Sequence, residues 1–354
     1  MPYDAIGNDV VQMRIALRKG GYAVRIFANE VHPAYASIAE SLDAASKSSF
    51  TSPENVLIYH HSMGWSRGEE LLSTTRNRII LRYHNITPAH FFAPYSLAHV
   101  HACESGAEAT RRIAKIPNML VVGDSTYNCK DFVAHGASPR QCRVLAPLHL
   151  TEDLGRESFD LATSRAYSGA TANILFVGGV KPNKGHARAI RVFAQYHRNF
   201  NSDSRLIFVG VLDERLRGYL EDLEALAAEL GIAEHISFTG PVTGAQIKSL
   251  YVAADVFLCT SEHEGFCVPL LEAMYFRLPI VAWGITAVPE TMGGCSFLLN
   301  DWDEHEFAAH IDLIVSDQEK SERLGTEGRD RYRLAFAPEV LREKLCTLVA
   351  EATQ

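Results

Sequence analysis

Ser261-Glu262-His263-Glu264-Gly265-Phe266-Cys267-Val268-Pro269-Leu270-Leu271-Glu272-Ala273-Met274 follows the apolar run Asp255-Val256-Phe257-Leu258-Cys259-Thr260 and passes into a helix-like segment. A polar turn carrying Gly and carboxylates between a strand and a helix is where open α/β sheets take ligands. The helix start adds backbone N–H groups with no intrahelical partner and a partial positive charge, which suit phosphate. Glu264 stands outside the helix and Glu272 within its first turns, so the two carboxylates can hold two parts of one long polar ligand.

Working outward, short apolar strands alternate with amphipathic helices, the pattern of parallel sheets covered on both faces. The first half predicts strands over Tyr22–Ala28, Val56–His60, Arg78–His84 and Met119–Gly123, with helices over Val10–Lys19 and across Ala89 to Ile116. The second half predicts strands over Asn173–Gly178, Arg205–Val211, His235–Thr239, Asp255–Thr260, Pro279–Trp283 and Ser296–Leu299. Helices are expected over His186–Phe200, over Asp213–Leu230 before Gly231, and over Pro338–Glu351. Pro147 to Ala172, rich in Thr, Ser, Gly and charge, reads as the interdomain linker. The domains are therefore 1–160 and 161–337, with a C-terminal helix over 338–354 free to cross back to the first.

At 354 residues the chain suits two domains, and its 47% apolar and 21% charged composition is that of a globular protein. A net charge of -8 argues against nucleic acid as a partner. The seven Cys form no C-x-x-C pair, which suggests reduced thiols in the cytoplasm rather than zinc or disulfides. No apolar run is long enough to span a bilayer, and the N-terminus lacks the basic and apolar regions of a signal peptide.

Three further stretches carry polar chemistry. Phe176-Val177-Gly178-Gly179-Val180-Lys181-Pro182-Asn183-Lys184-Gly185-His186 links a strand to a helix, and a Lys there can neutralise a phosphate. Its spacing matches neither the P-loop nor the dinucleotide fingerprint, and a plain turn reads equally well. It gains weight if its strand shares a sheet with the one before Ser261, so that both C-terminal ends meet at one crevice. Arg82-Tyr83-His84-Asn85-Ile86-Thr87-Pro88 ends a strand; His84 suits sugar binding or proton traffic, against a purely structural role. In Ile6-Gly7-Asn8-Asp9, Asn8 or Asp9 caps the first helix, or Gly7 lets backbone approach a ligand. Asp301-Trp302-Asp303 has the look of a D-x-D metal motif, but Asp303 is better read as a helix cap. The His60-His61 and His99/His101 pairs lack further ligands for a metal.

Glu264-Gly-Phe with Glu272-Ala-Met resembles the E-x7-E pattern of retaining glycosyltransferases of family 4, and the resemblance runs from about Ala5 to the end. Lys184-Gly185, Phe238-Thr239-Gly240 and Pro289-Glu290 fit the same pattern. The resemblance implies a GT-B fold, α/β with two Rossmann-like domains whose parallel sheets face a central cleft. It implies an enzyme that moves a hexose from a nucleotide-diphosphate sugar, GDP- or UDP-linked, to a glycan or lipid-linked acceptor, with surface polysaccharide synthesis as the setting. No metal or other cofactor is expected, and the chain is placed in the cytoplasm with peripheral contact at the inner face of the membrane.

Roles implied by the resemblance follow position by position. Glu272 binds the ribose, Glu264 lies by the donor sugar, and Lys184 neutralises the leaving diphosphate. Backbone around Gly265, Phe266, Cys267 and Val268 serves the sugar and diphosphate, with Val268, Leu270 and Leu271 as helix-end amides; Pro269 has no N–H to offer. Thr239, Gly240 and Val242 line the base pocket. His84 faces the transferred sugar, and the loop at Gly7 and Asn8 approaches from the acceptor side. Attack on the leaving-group face is implied, so Glu264 is not assigned as a nucleophile. Two positions depart from the pattern. Gly179 stands where an Arg is usual, leaving Lys181 to reach the phosphates, and only Met1-Pro2-Tyr3-Asp4 stand where the family has its first strand. Gly179 and this start favour a second reading, a non-catalytic nucleotide-sugar-binding subunit supporting a partner enzyme.

Overall fold

The computed structural model describes residues 5–44, 52–169 and 171–353. Met1 to Asp4, where the sequence departs from the family's first strand, lie outside the described residues. In chain order the strands are β1 Phe27–Ala28, β2 Glu40–Ser41, β3 Val56–His61, β4 Arg78–Tyr83, β5 Met119–Gly123, β6 Cys142–Val144, β7 Ala172–Val177, β8 Ser204–Val209, β9 Ile236–Phe238, β10 Val256–Cys259, β11 Ile280–Trp283 and β12 Phe297–Leu299. The helices are α1 Ala5–Lys19, α2 Ser66–Thr74, α3 Leu97–Ile113, α4 Thr126–Ala134, α5 Thr151–Arg156, α6 Leu161–Ala166, α7 His186–Asn199, α8 Arg217–Glu229, α9 Gly244–Ala253, α10 Val268–Tyr275, α11 Val288–Met292, α12 Glu304–Val315, α13 Gln318–Ala335 and α14 Pro338–Ala352.

The chain forms two compact units. Unit 1 comprises 1–88, 101–150 and 335–354; unit 2 comprises 89–100 and 151–334. Unit 1 holds a parallel sheet in the order β3-β4-β5-β6 and a separate parallel pair β1-β2. Its core gathers Leu72, Leu81, Tyr83, Ile113, Val121 and Phe132, and α14 packs on α1 and β4. The predicted strand Tyr22–Ala28 shrinks to Phe27–Ala28, which pairs with β2 and not with the larger sheet. The helix expected across Ala89 to Ile116 is broken into a 3-10 turn at Ala89–Phe91 and α3. Pro94 lies in the gap and disfavours helical backbone at the residue before it.

Unit 2 is built on six parallel strands in the order β12-β11-β10-β7-β8-β9. Beginning from β7, the chain winds outward through β8 and β9, then returns to β10 on the other side and winds out through β11 and β12. That reversal between β7 and β10 is the topological switch point of a doubly wound sheet, the place where such sheets hold ligands. β7 is buried along nearly its whole length, as expected for a strand covered on both faces. On α7, Ala189, Ile190, Phe193 and Tyr196 recur at helical spacing and are all buried against it. Burying each large apolar side chain contributes roughly 1.5–3 kcal/mol.

The boundary between the units falls between Leu150 and Thr151, inside the stretch read as a linker, but most of that stretch is packed structure. Thr151 onward belongs to unit 2, where α5 and α6 pack on α9 and α5 also on α10. The Asp160 side chain caps α6 by accepting from Thr163 N, and Lys248 Nζ donates to Gly155 O at 2.8 Å. Caps and long-range anchors of this kind leave no apolar periodicity for a sequence reading to find. Asp303, by contrast, caps α12 as expected, accepting from His305 N and Glu306 N.

Candidate active site

In unit 2, β7 and β10 are adjacent and parallel, with Val256 opposite Ile174 and Phe257 opposite Leu175. The loop after β7, carrying Lys184, and the loop after β10, carrying Glu264, therefore leave the same sheet edge side by side, as the sequence required for a common crevice. The backbone stitches them together. Glu262 N and His263 N both donate to Asn183 O, Asn183 Nδ2 donates to His263 O, and Thr260 Oγ1 donates to Gly185 O. Gly185 has φ 72°, and a Cβ there would meet Thr260 O at 2.0 Å, so the close approach requires glycine.

Lys184 Nζ lies 2.8 Å from both carboxylate oxygens of Glu264. The carboxylate is buried, whereas the Lys side chain remains 24% exposed. Burial alone pushes the Lys184 ammonium down, but the Glu264 carboxylate outweighs it and holds the pKa above the usual value. Ser261 Oγ donates to Glu264 Oε1 at 2.7 Å, and Glu264 N donates to Thr286 Oγ1 at 3.1 Å. Cys267, three residues after Glu264, and Thr286, whose hydroxyl accepts from Glu264 N, both hold positive φ, at 76° and 52°. Such backbone costs of order 1–3 kcal/mol per residue and clusters at functional sites. Neither Ser261, Thr286 nor this strain was foreseen from the sequence; a non-glycine positive φ leaves no mark in composition or spacing.

Glu272 sits on α10 with Oε2 accepting from Tyr251 Oη at 2.6 Å. Burial raises its pKa and the Tyr251 hydroxyl offsets only part of that rise. Tyr251, on α9, is a partner that sequence reasoning missed. Of the expected helix-end amides, Leu270 N is already bonded to Cys267 O at 3.2 Å, so the turn that opens α10 uses this group itself. Leu271 is fully buried and Val268 half-buried; Gly265, Phe266 and Cys267 form the turn before them, where Phe266 O accepts from Thr291 Oγ1. Thr239 and Val242 line a cavity of about 440 Å³ together with Phe238, Pro241 and Gln246. Gly240 is not among the lining residues, while Thr163 and Tyr167, from the stretch expected to be a linker, are. A Cβ at Gly179 would have room, 3.5 Å from Val211 O and 3.8 Å from Lys181 Cε. Nothing steric therefore forces glycine there.

In unit 1, His84 follows β4 and is fixed on both ring nitrogens. Its Nδ1 lies 3.0 Å from Asp124 Oδ2 and its Nε2 2.9 Å from His60 Nδ1. Since a carboxylate accepts, His84 carries its proton on Nδ1 when neutral, and His60 donates from its own Nδ1. Burial and the neighbouring His84 lower the His60 pKa to about 3, so this ring is neutral near pH 7. Behind the pair, fully buried Arg82 donates from Nε to Asp9 Oδ2 at 3.0 Å, reaches Asp124 Oδ1 at 2.7 Å and donates to Leu145 O at 2.6 Å. Asp9 also accepts from Leu148 N at 2.7 Å.

Two expectations are corrected here. Gly7 and Asn8 are not in a loop but in the first turns of α1, and Asp9 is no helix cap but a buried partner of Arg82. A short polar run before apolar residues looks like a cap; only the tertiary partner reveals why the carboxylate turns inward. His60, set aside in the sequence as half of a pair without further ligands, has His84 and Asp9 beside it.

Residues 167–331 match the family model described as glycosyl transferases group 1. The matched segment lies wholly within unit 2. The chain is 28% identical over 235 residues to the MMP alpha-(1->4)-mannosyltransferase of Mycolicibacterium hassiacum, an alignment that covers 65% of this chain and 53% of that protein. The chain thus spans about half the length of the curated relatives it matches. Among solved structures it resembles WaaG, a glycosyltransferase involved in lipopolysaccharide biosynthesis, with TM-score 0.70 and 15% identity over 98% of this chain and 96% of that one. It also resembles Anabaena HepE in complex with UDP, with TM-score 0.66 and 18% identity over 80% and 75% of the two chains. At these identities the likeness establishes the fold, which is α/β of the GT-B type.

Proposed function

We propose that this protein is a retaining, metal-independent hexosyltransferase that uses a nucleotide-diphosphate sugar, GDP- or UDP-linked, and glycosylates a glycan or lipid-linked acceptor in surface polysaccharide synthesis. The observation that carries the reading is the Lys184–Glu264 pair at the β7/β10 switch point, directly before the N-terminus of α10. Departure of a nucleoside diphosphate concentrates negative charge on its β-phosphate. Lys184 and the start of α10 supply positive charge at that place without a metal. When a diphosphate takes over Lys184, Glu264 keeps Ser261 and turns its remaining acceptor capacity to the donor sugar hydroxyls. Glu272, oriented by Tyr251, takes the ribose, and the cavity at Thr239 and Val242 takes the base. His84 acts at the transferred sugar only through His60 or after the His60 hydrogen bond breaks, because both of its ring nitrogens are engaged. The mannosyltransferase relative and the UDP-bound neighbour support a nucleotide-sugar donor.

We place the protein in the cytoplasm, meeting lipid-linked acceptors at the membrane surface. Among the described residues no helix is long and apolar enough to cross a membrane. Gly179 favours the second reading, a binding subunit without turnover, since loss of one cationic hydrogen-bond partner weakens anion binding by roughly 1.5–3 kcal/mol. Hydrolysis and transfer assays against UDP- and GDP-hexoses, with glycan and lipid-linked acceptors, separate the two. Turnover supports the enzyme; nucleotide binding without turnover on any pair supports the subunit. Glu272→Ala should sharply weaken binding of the free nucleotide, and unchanged binding in a calorimetric titration contradicts the ribose assignment.

A further inference from the structure

The Asp9, His60 and His84 cluster of unit 1 is built like a transition-metal site. His60 Nδ1 and His84 Nε2 are 2.9 Å apart, and Asp9 Oδ2 stands 4.0 Å from the first and 3.9 Å from the second. The point equidistant from these three atoms lies about 2.1 Å from each, the length of a zinc–imidazole or zinc–carboxylate bond. The donors are two imidazoles and one carboxylate, a set suited to zinc and its divalent first-row neighbours rather than to magnesium or calcium.

The surroundings supply what such a site needs next. His84 Nδ1 is held by Asp124, the carboxylate–histidine arrangement that orients a ligating ring and raises its basicity. Asp9 is fixed in turn by Arg82 Nε and Leu148 N. His60 stands opposite Arg82 in the β3/β4 register, and Asp124 directly follows β5, so the cluster spans the C-terminal ends of three adjacent parallel strands. Charge points the same way. Asp9 and Asp124 set two carboxylates against the single guanidinium of Arg82, which leaves the cluster a carboxylate to spare for a cation. The His60 side chain, 16% exposed, gives solvent a route to the otherwise closed cluster.

We propose that Asp9, His60 and His84 form a binding site for a divalent transition-metal ion of the zinc class, with Asp124 and Arg82 as its supporting shell. On binding, the ion takes the place of the hydrogen between His60 Nδ1 and His84 Nε2; His60 gives that proton to solvent and takes one up at its Nε2, so both rings ligate as neutral imidazoles. A bound ion occupies the His84 Nε2 that the proposed function gives to the transferred sugar, so the two uses of His84 exclude each other, and the test below reads metal binding without any sugar transfer.

The full chain, stripped with a chelator, is titrated with Co2+ and followed by visible absorption, and with Zn2+ and followed by thermal unfolding. We expect one Co2+ per chain with ligand-field bands, and a rise in Tm with Zn2+. Both should be lost in His60→Gln and His84→Gln proteins whose far-ultraviolet circular dichroism is native. Asp124→Asn should weaken Co2+ binding about 10–100-fold. If the histidine variants do not fold, imidazole NMR of the wild type under Zn2+ decides, since His60 and His84 must shift ahead of the other histidines. No band and no Tm shift in the wild type overturns the proposal, as does equal uptake by folded His60→Gln. The cluster is then a hydrogen-bond chain from Asp124 through His84 to His60.

Discussion

The Lys184–Glu264 pair of unit 2 and the Arg82–Asp9–Asp124 group of unit 1 both put opposite charges at the C-terminal ends of parallel strands. They differ in access and in how they are assembled. Lys184 keeps a quarter of its side chain in solvent, and two neighbouring loops supply the whole pair. Arg82 is fully buried and draws its carboxylates from α1 and from the end of β5. An accessible pair can exchange its partner for a ligand; a sealed one fixes geometry for whatever sits in front of it, here His60 and His84. The difference teaches that in this molecule exposure of the cation, not the presence of an ion pair, separates a ligand-exchanging site from a scaffold.

The largest expected effect lies on the sealed side. Arg82→Met leaves Asp9 and Asp124 buried without their cation and should cost about 3–5 kcal/mol, since breaking a buried pair strands its partners. Urea unfolding of the variant measures this; a loss under 1 kcal/mol (roughly the range of exposed pairs) erases the contrast. On the accessible side, Gly185→Ala forces a side chain into left-handed backbone, worth about 1–3 kcal/mol, and drives a Cβ against Thr260 O. Stability and nucleotide binding should fall together in that variant, because one clash parts both loops. Loss of stability with binding untouched shows that the stitching of the loops is not what forms the site.

The effect that is smallest at neutral pH is a pH dependence, which grows only as the pH falls below 6.5. Burial lowers the pKa values of His61 and His149 from the ordinary 6.5 to about 4. Above pH 6.5 both are neutral folded and unfolded, so stability is full. As pH falls from 6.5 toward 4, the unfolded chain binds protons that the folded one refuses. Each histidine then costs about 1.4 kcal/mol per pH unit. Below about 4 the loss levels off. Unit 1 holds these two and His60, while unit 2 holds His186, whose pKa burial also lowers to about 3, so hydrogen exchange at low pH should loosen unit 1 more than unit 2; equal loosening of both units contradicts this.

The same contrast explains how much could be read before the structure was seen. Unit 2 is legible because each functional feature is local: the strand, the Gly-containing turn and the helix lie within one short stretch, and period and turn chemistry reveal them. All six of its strands appear within one or two residues of their expected bounds. Its blind spots are contacts made at a distance, such as Tyr251 on Glu272 and Thr286 on Glu264, and the short helices α5 and α6, whose caps carry no apolar period. In unit 1 nearly everything that matters is nonlocal. Asp9 reads as a cap and His60 as half of an isolated pair, because nothing in their own neighbourhoods announces Arg82, Asp124 or His84. The strand expected over Tyr22–Ala28 fails for a related reason: its residues suit a strand, yet only Phe27 and Ala28 find a partner, in β2.

The most direct test is a calorimetric titration of the folded chain and of Lys184→Ala with UDP and GDP. One of the two nucleotides should bind the wild type. Lys184→Ala should bind it roughly 10–100-fold more weakly, the loss of a charged hydrogen-bond partner, with a smaller loss of stability than Arg82→Met, since Ser261 still holds Glu264. Equal affinity in the two proteins, or binding of neither nucleotide to the wild type, contradicts the claim that the accessible ion pair at the β7/β10 switch point is a diphosphate site.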